Sequence, residues 1–238
     1  LDELPRVDKE DFVWSDPPSP SAFPIARPGY PLIGAAAFAT LILALLGYPA
    51  AAIAGLAATF GICGFFRDPD RVIPAAPGLV VSPADGKVIL AERAVENPFI
   101  AGETVKVSIF MSVFNVHVNR APVEGVVRRT VHRPGSFLAA NRREASLANE
   151  HNAVVLEPPD GGRLCVVQVA GLIARRIICR IQPGDRLKRG QRYGMICFGS
   201  RLDLYLPAGI RLAVAVGDKV RAGTTVIGTL APEGGVNG

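Results

Sequence analysis

Val105-Lys106-Val107-Ser108-Ile109-Phe110-Met111-Ser112-Val113-Phe114-Asn115-Val116-His117-Val118 is the run that decides the fold. Valine, isoleucine and phenylalanine dominate it, and such residues suit a pleated, half-buried surface. Two shorter runs of the same texture, Leu79 to Ser82 and Leu164 to Val169, lie among turn residues on either side. From Arg67 onward the chain therefore reads as a mainly β body. One helix is expected there, in the Ala-, Leu-, Arg- and Glu-rich segment Ser136 to Asn149.

Toward the C-terminal side a short repeat appears. Gly184-Asp185-Arg186-Leu187-Lys188-Arg189-Gly190 is echoed 33 residues later by Gly217-Asp218-Lys219-Val220-Arg221-Ala222-Gly223. Each copy reads as a Gly-Asp turn between strands, with a second glycine that lets the backbone bend. Two copies are too few for a solenoid.

Toward the N-terminal side the texture changes. Pro28 to Phe66 contains no charged residue. It breaks at Gly47-Tyr48-Pro49 into two helical halves, each about 24 Å long at ~1.5 Å per residue, short of the roughly 30 Å hydrocarbon core of a bilayer. Two such halves suit a hairpin dipping into a membrane, with Arg27 and Arg67 keeping both ends on the cytoplasmic side. A buried pair of helices in a soluble domain is the alternative, and membrane contact is the favoured reading because fully apolar helices must be covered and the domain is small. Residues 1–31 hold seven prolines and read as an extended arm. The expected organisation is an arm over 1–28, a hydrophobic membrane-associated hairpin over 29–66 and a β-rich catalytic domain over 67–238. In class this is α+β, mainly β, with barrel-sandwich-like elements.

Residues 1–28 hold six acids and three bases, so the net charge of +5 becomes +8 over the remainder. A basic body beside an apolar run fits an anionic membrane surface. With 7% aromatic residues there is no evident base-stacking platform, and no nucleic-acid partner is expected. The cysteines at 63, 165, 179 and 197 form no Cys-x-x-Cys pair, and three histidines complete the soft ligands, so neither a metal site nor a disulfide framework is expected.

Three positions could carry chemistry. His117 sits among polar neighbours on an apolar run, as an acid/base group or as a hydrogen-bonded structural histidine. Asp85 lies in Ser82-Pro83-Ala84-Asp85-Gly86, where a plain turn also explains it. Gly199-Ser200 interrupts strand-like sequence, although Gly135-Ser136 shows how ordinary the dipeptide is.

Phe66-Arg67-Asp68-Pro69, Ser82-Pro83-Ala84-Asp85-Gly86, Asn115-Val116-His117-Val118-Asn119-Arg120 and Phe198-Gly199-Ser200-Arg201 occur in this order. Together they resemble the pyruvoyl-dependent phosphatidylserine decarboxylases, in particular the short bacterial and archaeal-type subgroup, from about Gly29 to Ala231. The resemblance implies a zymogen that cuts itself between Gly199 and Ser200 into paired chains 1–199 and 200–238. Ser200 would become the pyruvoyl cofactor, with no metal and no pyridoxal phosphate. His117, oriented by Asp85, would be the base that activates the Ser200 hydroxyl, a weak nucleophile on its own. Glycine at 199 would let the hydroxyl approach the carbonyl. The ketone at 200 would form a Schiff base with the amine of a phosphatidylserine in the membrane, lose CO₂ and release phosphatidylethanolamine. A homodimer at the cytoplasmic side of the inner membrane, held peripherally or monotopically, completes the expectation.

The chain departs from the family twice. Phe114 stands where some members carry a second histidine, and Arg201 follows the serine where long members have threonine, which leaves a contact between Arg201 and lipid phosphate an open idea. Asn149-Glu150-His151-Asn152 is kept out of the catalytic set. Two other classes fit parts of the sequence. A lipoyl- or biotinyl-like carrier would share the Gly-Asp turns, but Lys87 and Lys219 lack the expected hairpin-tip setting. An inert membrane-anchored β domain would leave Gly199-Ser200 without a purpose.

Overall fold

The computed structural model describes residues 12–13, 24–95, 97–140, 148–159, 162–172, 176–197 and 199–230. The apolar run folds as α1 (Tyr30–Leu45) and α2 (Pro49–Phe65). Pro31 and Pro49 fall in first turns, where a missing N–H costs no hydrogen bond, and Gly47 reverses the chain at φ +77°. The helices approach closely at Gly55, where a Cβ would lie 2.6 Å from Thr40 Oγ1. Neither helix has a polar face. α1 buries none of its residues and α2 buries only Phe65, while Leu41, Leu45, Leu46, Ile53 and Phe60 stand exposed. A 3-10 turn at Arg27–Gly29 extends α1 into an apolar helical stretch, Arg27–Leu45, long and apolar enough by length and composition to cross a membrane.

The body is mainly β, as expected. Its strands in chain order are β1 (Phe12–Val13), β2 (Ile73–Pro74), β3 (Leu79–Val81), β4 (Gly86–Val95), β5 (Thr104–Met111), β6 (Val118–Arg120), β7 (Gly125–Arg133) and β8 (His151–Glu157). There follow β9 (Leu164–Ala170), β10 (Arg176–Cys179), β11 (Arg186–Leu187), β12 (Arg192–Cys197), β13 (Ser200–Pro207), β14 (Arg211–Leu212), β15 (Lys219–Val220) and β16 (Val226–Thr229). An eight-stranded antiparallel sheet runs β11-β7-β8-β9-β13-β5-β4-β15, accompanied by three-stranded sheets β10-β12-β6 and β14-β16-β3. Val80, Val88, Ile109, Leu156, Ile196 and Leu204, drawn from all three sheets, share one core cluster. The sheets thus wrap one apolar interior, which is the barrel-sandwich arrangement. The other face of β8, β9 and β13 is covered around Val155, Val167 and Tyr205 by Phe99 and Ile100.

The repeat noted above is structural. In each copy the first glycine is left-handed, Gly184 at φ +97° and Gly217 at +106°, and the aspartate carboxylate accepts the N–H three residues back, from Gln182 and Ala215. Gly184 N–H donates to Val127 O and Gly217 N–H to Val88 O. Gly190 N–H reaches Ala121 O and Gly223 N–H reaches Ser82 O. The partner segments are themselves a repeat, Ser82-Pro83-Ala84-Asp85-Gly86 and Ala121-Pro122-Val123-Glu124-Gly125. The body therefore contains a duplicated strand-turn-strand unit, and Asp85 is the buried counterpart of an exposed Glu124.

Three expectations change in detail. The run Val105 to Val118 is not one strand: β5 ends at Met111, and Ser112–His117 forms a turn before β6. Asn115 makes this turn, its Oδ1 accepting from both the N–H and the hydroxyl of Ser112 at 2.8 Å. Ser136 pairs with Asn149 in a parallel bridge, so the start of the expected helix is extended, and residues 141–147 lie outside the described residues. The arm contributes β1, paired with β2; the rest of 1–23 lies outside the described residues.

Candidate active site

Gly199 adopts φ +63°, a backbone conformation that side chains strain. Ser200 follows as the first residue of β13, fully buried and opposite both Met111 of β5 and Ala170 of β9. Its hydroxyl has one partner among the described residues, the Met111 sulfur at 3.5 Å. A thioether is a weak acceptor, so the oxygen is held without strong engagement. The carbonyl of Gly199 packs against Gly171, where a Cβ would lie 2.2 Å from that oxygen.

His117 is fully buried at the end of the Ser112–His117 turn. Its Nδ1 lies 2.9 Å from the carbonyl of Asn115. A carbonyl only accepts, so the proton sits on Nδ1 and the lone pair on Nε2. Nε2 is buried with no hydrogen-bond partner among the described residues. The pKa is lowered to about 4, chiefly by burial, with the Asn115 bond acting to raise it and the Arg67 charge to lower it. The imidazole is thus neutral at physiological pH, with its basic nitrogen unengaged.

Asp85 is buried, with Oδ2 2.8 Å from Arg71 Nη2 and Oδ1 accepting the Ala222 N–H at 2.7 Å. No hydrogen bond joins it to His117 among the described residues; the Asn115 carbonyl orients the ring instead. Nor are Ser200 and His117 hydrogen-bonded to each other. They are coupled through the framework: Ile196, four residues before Ser200, donates its N–H to His117 O at 3.4 Å, and Met111 touches both Ser200 and Asn119.

Arg201 is turned inward. It forms a bidentate pair with Asp203 at 2.6 and 2.8 Å and donates to Ala140 O. This buried pair replaces the idea of a phosphate contact. Burial pushes the Asp203 carboxyl up, but Arg201 and Lys106 outweigh it and hold the pKa below the usual range. Asn149 is a clamp. Its side-chain amide donates to Leu138 O and Ala170 O and accepts from Leu138 N–H, pinning the Ser136–Ala140 loop beside Gly171. Gly171 and Asn149 escaped sequence reasoning, although Asn149 stood in a polar stretch that drew notice. Lys87 and Lys219 pair across β4 and β15 and are not hairpin tips. No cluster of three metal-ligating side chains occurs among the described residues.

A carbonyl group made from Ser200 fits this environment, because the side chain is buried, weakly held and preceded by a left-handed glycine. A family profile described as phosphatidylserine decarboxylase matches residues 60–228. Among curated relatives, a phosphatidylserine decarboxylase proenzyme of Desulfotalea psychrophila is 49% identical over 87% of this chain and 97% of its own length. Its namesake in Nitratidesulfovibrio vulgaris is 50% identical over 88% of this chain and 96% of that protein. The proenzyme of so named function in Nitrosomonas europaea is 49% identical, covering 85% and 94% respectively.

Proposed function

Because the chain belongs to the phosphatidylserine decarboxylase family, we propose that it decarboxylates phosphatidylserine to phosphatidylethanolamine, using a pyruvoyl group that it makes from its own Ser200. The observation that carries this reading is the buried, unpartnered Nε2 of a neutral His117, in the framework that carries a weakly held Ser200 hydroxyl. His117 Nε2 takes the Ser200 proton, and Oγ attacks the Gly199 carbonyl carbon. The peptide C–N bond breaks and an ester forms, with the proton passing to the freed nitrogen. Loss of a Cα proton expels the Gly199 carboxylate and leaves a dehydroalanine, which water converts to the keto group with release of ammonia.

Asp85, locked by Arg71 and Ala222, acts through the loop it holds: the Pro83 carbonyl accepts the Arg120 N–H at the end of β6, the strand that follows His117. When present, the pyruvoyl group supplies an electrophilic carbonyl for the substrate amine and a sink for the electron pair left by CO₂. His117 Nε2 would take a proton from the substrate ammonium, freeing the amine to react, and return that proton to the product carbon. The apolar hairpin holds the protein at a membrane, where the substrate resides, with the body on the cytoplasmic side.

Denaturing mass analysis of purified wild-type protein tests the reading. The expected product is a blocked C-terminal fragment of about 4 kDa, the share of the 25.1 kDa chain that residues 200–238 represent. A wild-type chain that stays intact overturns it. Ser200→Ala should remain whole and show no decarboxylation of phosphatidylserine vesicles, and His117→Gln should slow cutting by about 10²-fold or more.

A further inference from the structure

α2 does not end as a free anchor. Its last residue, Phe65, lays its ring against the imidazole of His117, with centroids 4.3 Å apart and planes 34° apart. Two residues on, Arg67 bridges helix and turn: one guanidinium nitrogen donates to Gly64 O in α2 and the other to Phe114 O, both at 2.6 Å. Phe114 is itself 84% exposed, so this bond through its carbonyl, with the Asn115 bonds to Ser112, fixes the turn. Phe65, Phe66, Val116, Val118, Met195 and Cys197 form an apolar cluster separate from the main core. The hairpin root thus supplies part of the wall that keeps water from His117.

We propose that Phe65 and Arg67 are positioning residues for His117, so that the seated root of the hairpin is what makes the base competent. This rests on the reading of His117 as the base. Phe65 excludes water from the ring, and Arg67 fixes the turn whose Asn115 carbonyl holds the Nδ1 proton. A hairpin lifted from its seat would hydrate the imidazole and free its rotation. Self-cleavage would then be coupled to correct seating of the membrane element. Among the described residues, the charge acting on His117 is that of Arg67, and the titratable neighbour in the cluster is the Cys197 thiol of β12, whose pKa burial raises.

Two measurements on the full chain in detergent micelles test this. The first follows the ring protons of His117 by NMR against pH in the uncleavable Ser200→Ala chain, with and without Phe65→Ala. The parent should titrate near pH 4, and the variant at least one unit higher, toward 6.5. The second measures self-cleavage against pH in the chain that keeps Ser200. Phe65→Ala should cut at least tenfold more slowly, and its acid limb should move up. A fully hydrated imidazole leaves about a quarter of the base neutral at pH 6, a fourfold loss from the plateau. Phe65→Leu, which keeps apolar bulk, and Arg67→Lys, which keeps charge but not the forked bond, should fall between. Lys188→Ala, which trims an exposed side chain of the β body, should cut at the parental rate. Unchanged titration and unchanged cutting in Phe65→Ala overturn the proposal, as does a melting loss in all three root variants with no shift in either profile. A parent that never cuts defeats the proposed function instead, and the titration still reads the Phe65–His117 coupling.

Discussion

Gly171 shows how much of a site can rest on a missing side chain. A methyl group there would lie 2.2 Å from the Gly199 oxygen and 3.3 Å from Ala140 Cβ, so Gly171→Ala must displace the bond that the proposed cleavage breaks. We expect self-cleavage to fall by about 10²-fold, in line with the effect of an ångström-scale misplacement; a time course of denaturing gels reads it. His117 carries a second prediction. Its folded pKa of about 4 lies below the unfolded 6.5, so the unfolded chain binds more protons between those values. Stability should be full above pH 6.5 and fall by about 3 kcal/mol as pH drops toward 4, measured by urea titration of the Ser200→Ala chain. His117→Phe should remove that slope. Ser200 and His117 could be singled out as candidates from the sequence because four motifs stand in order. Gly171 was not, because one glycine among 25 gives no sign of what its absent Cβ would strike.

At the scale of elements, β13 concentrates the buried charge. Arg201 and Asp203 lie two apart, hence on one face of the strand, and Lys106 of β5 completes the group with Nζ 3.4 Å from Asp203. That spacing was visible in the sequence, but its burial was not. Asp203→Ala should cost about 3–5 kcal/mol because it strands a buried guanidinium, read as a fall in the urea midpoint. Asp203 has a folded pKa below its unfolded value, so its contribution holds above the unfolded pKa and fades as pH falls toward the folded one. The hairpin break was readable from Gly47-Tyr48-Pro49. The break after Met111 was not, since Ser112-Val113-Phe114-Asn115 lacks glycine and proline and is held by the Asn115 side chain and by Arg67 from outside the run. Likewise Asp68 stood in a motif with no stated role and Asp70 drew no notice, yet Arg192 reaches both, at 2.8 and 2.7 Å, and straps the hairpin root to β12.

At the scale of the molecule, the class and the hairpin were legible from texture, whereas the duplication was seen only in its second half. The Pro-x-acid-Gly pair differs at too many positions to be recognised before the hydrogen bonds align it. The exposed apolar hairpin leads to a prediction for the whole protein. It should float with phosphatidylserine vesicles even in 1 M salt, since apolar insertion is not screened as charge is, and Leu45→Glu with Leu46→Glu should weaken flotation markedly. Finally, β13 hydrogen-bonds to β5 on one side and β9 on the other, while β15 and β16 pair with β4 and β3. A cut before Ser200 would leave those strands in place but change the reaction order of refolding. The uncut chain folds in a first-order process. The cut one, once denatured, must find its other half by diffusion, so its refolding half-time should lengthen about tenfold on tenfold dilution, while that of Ser200→Ala stays constant.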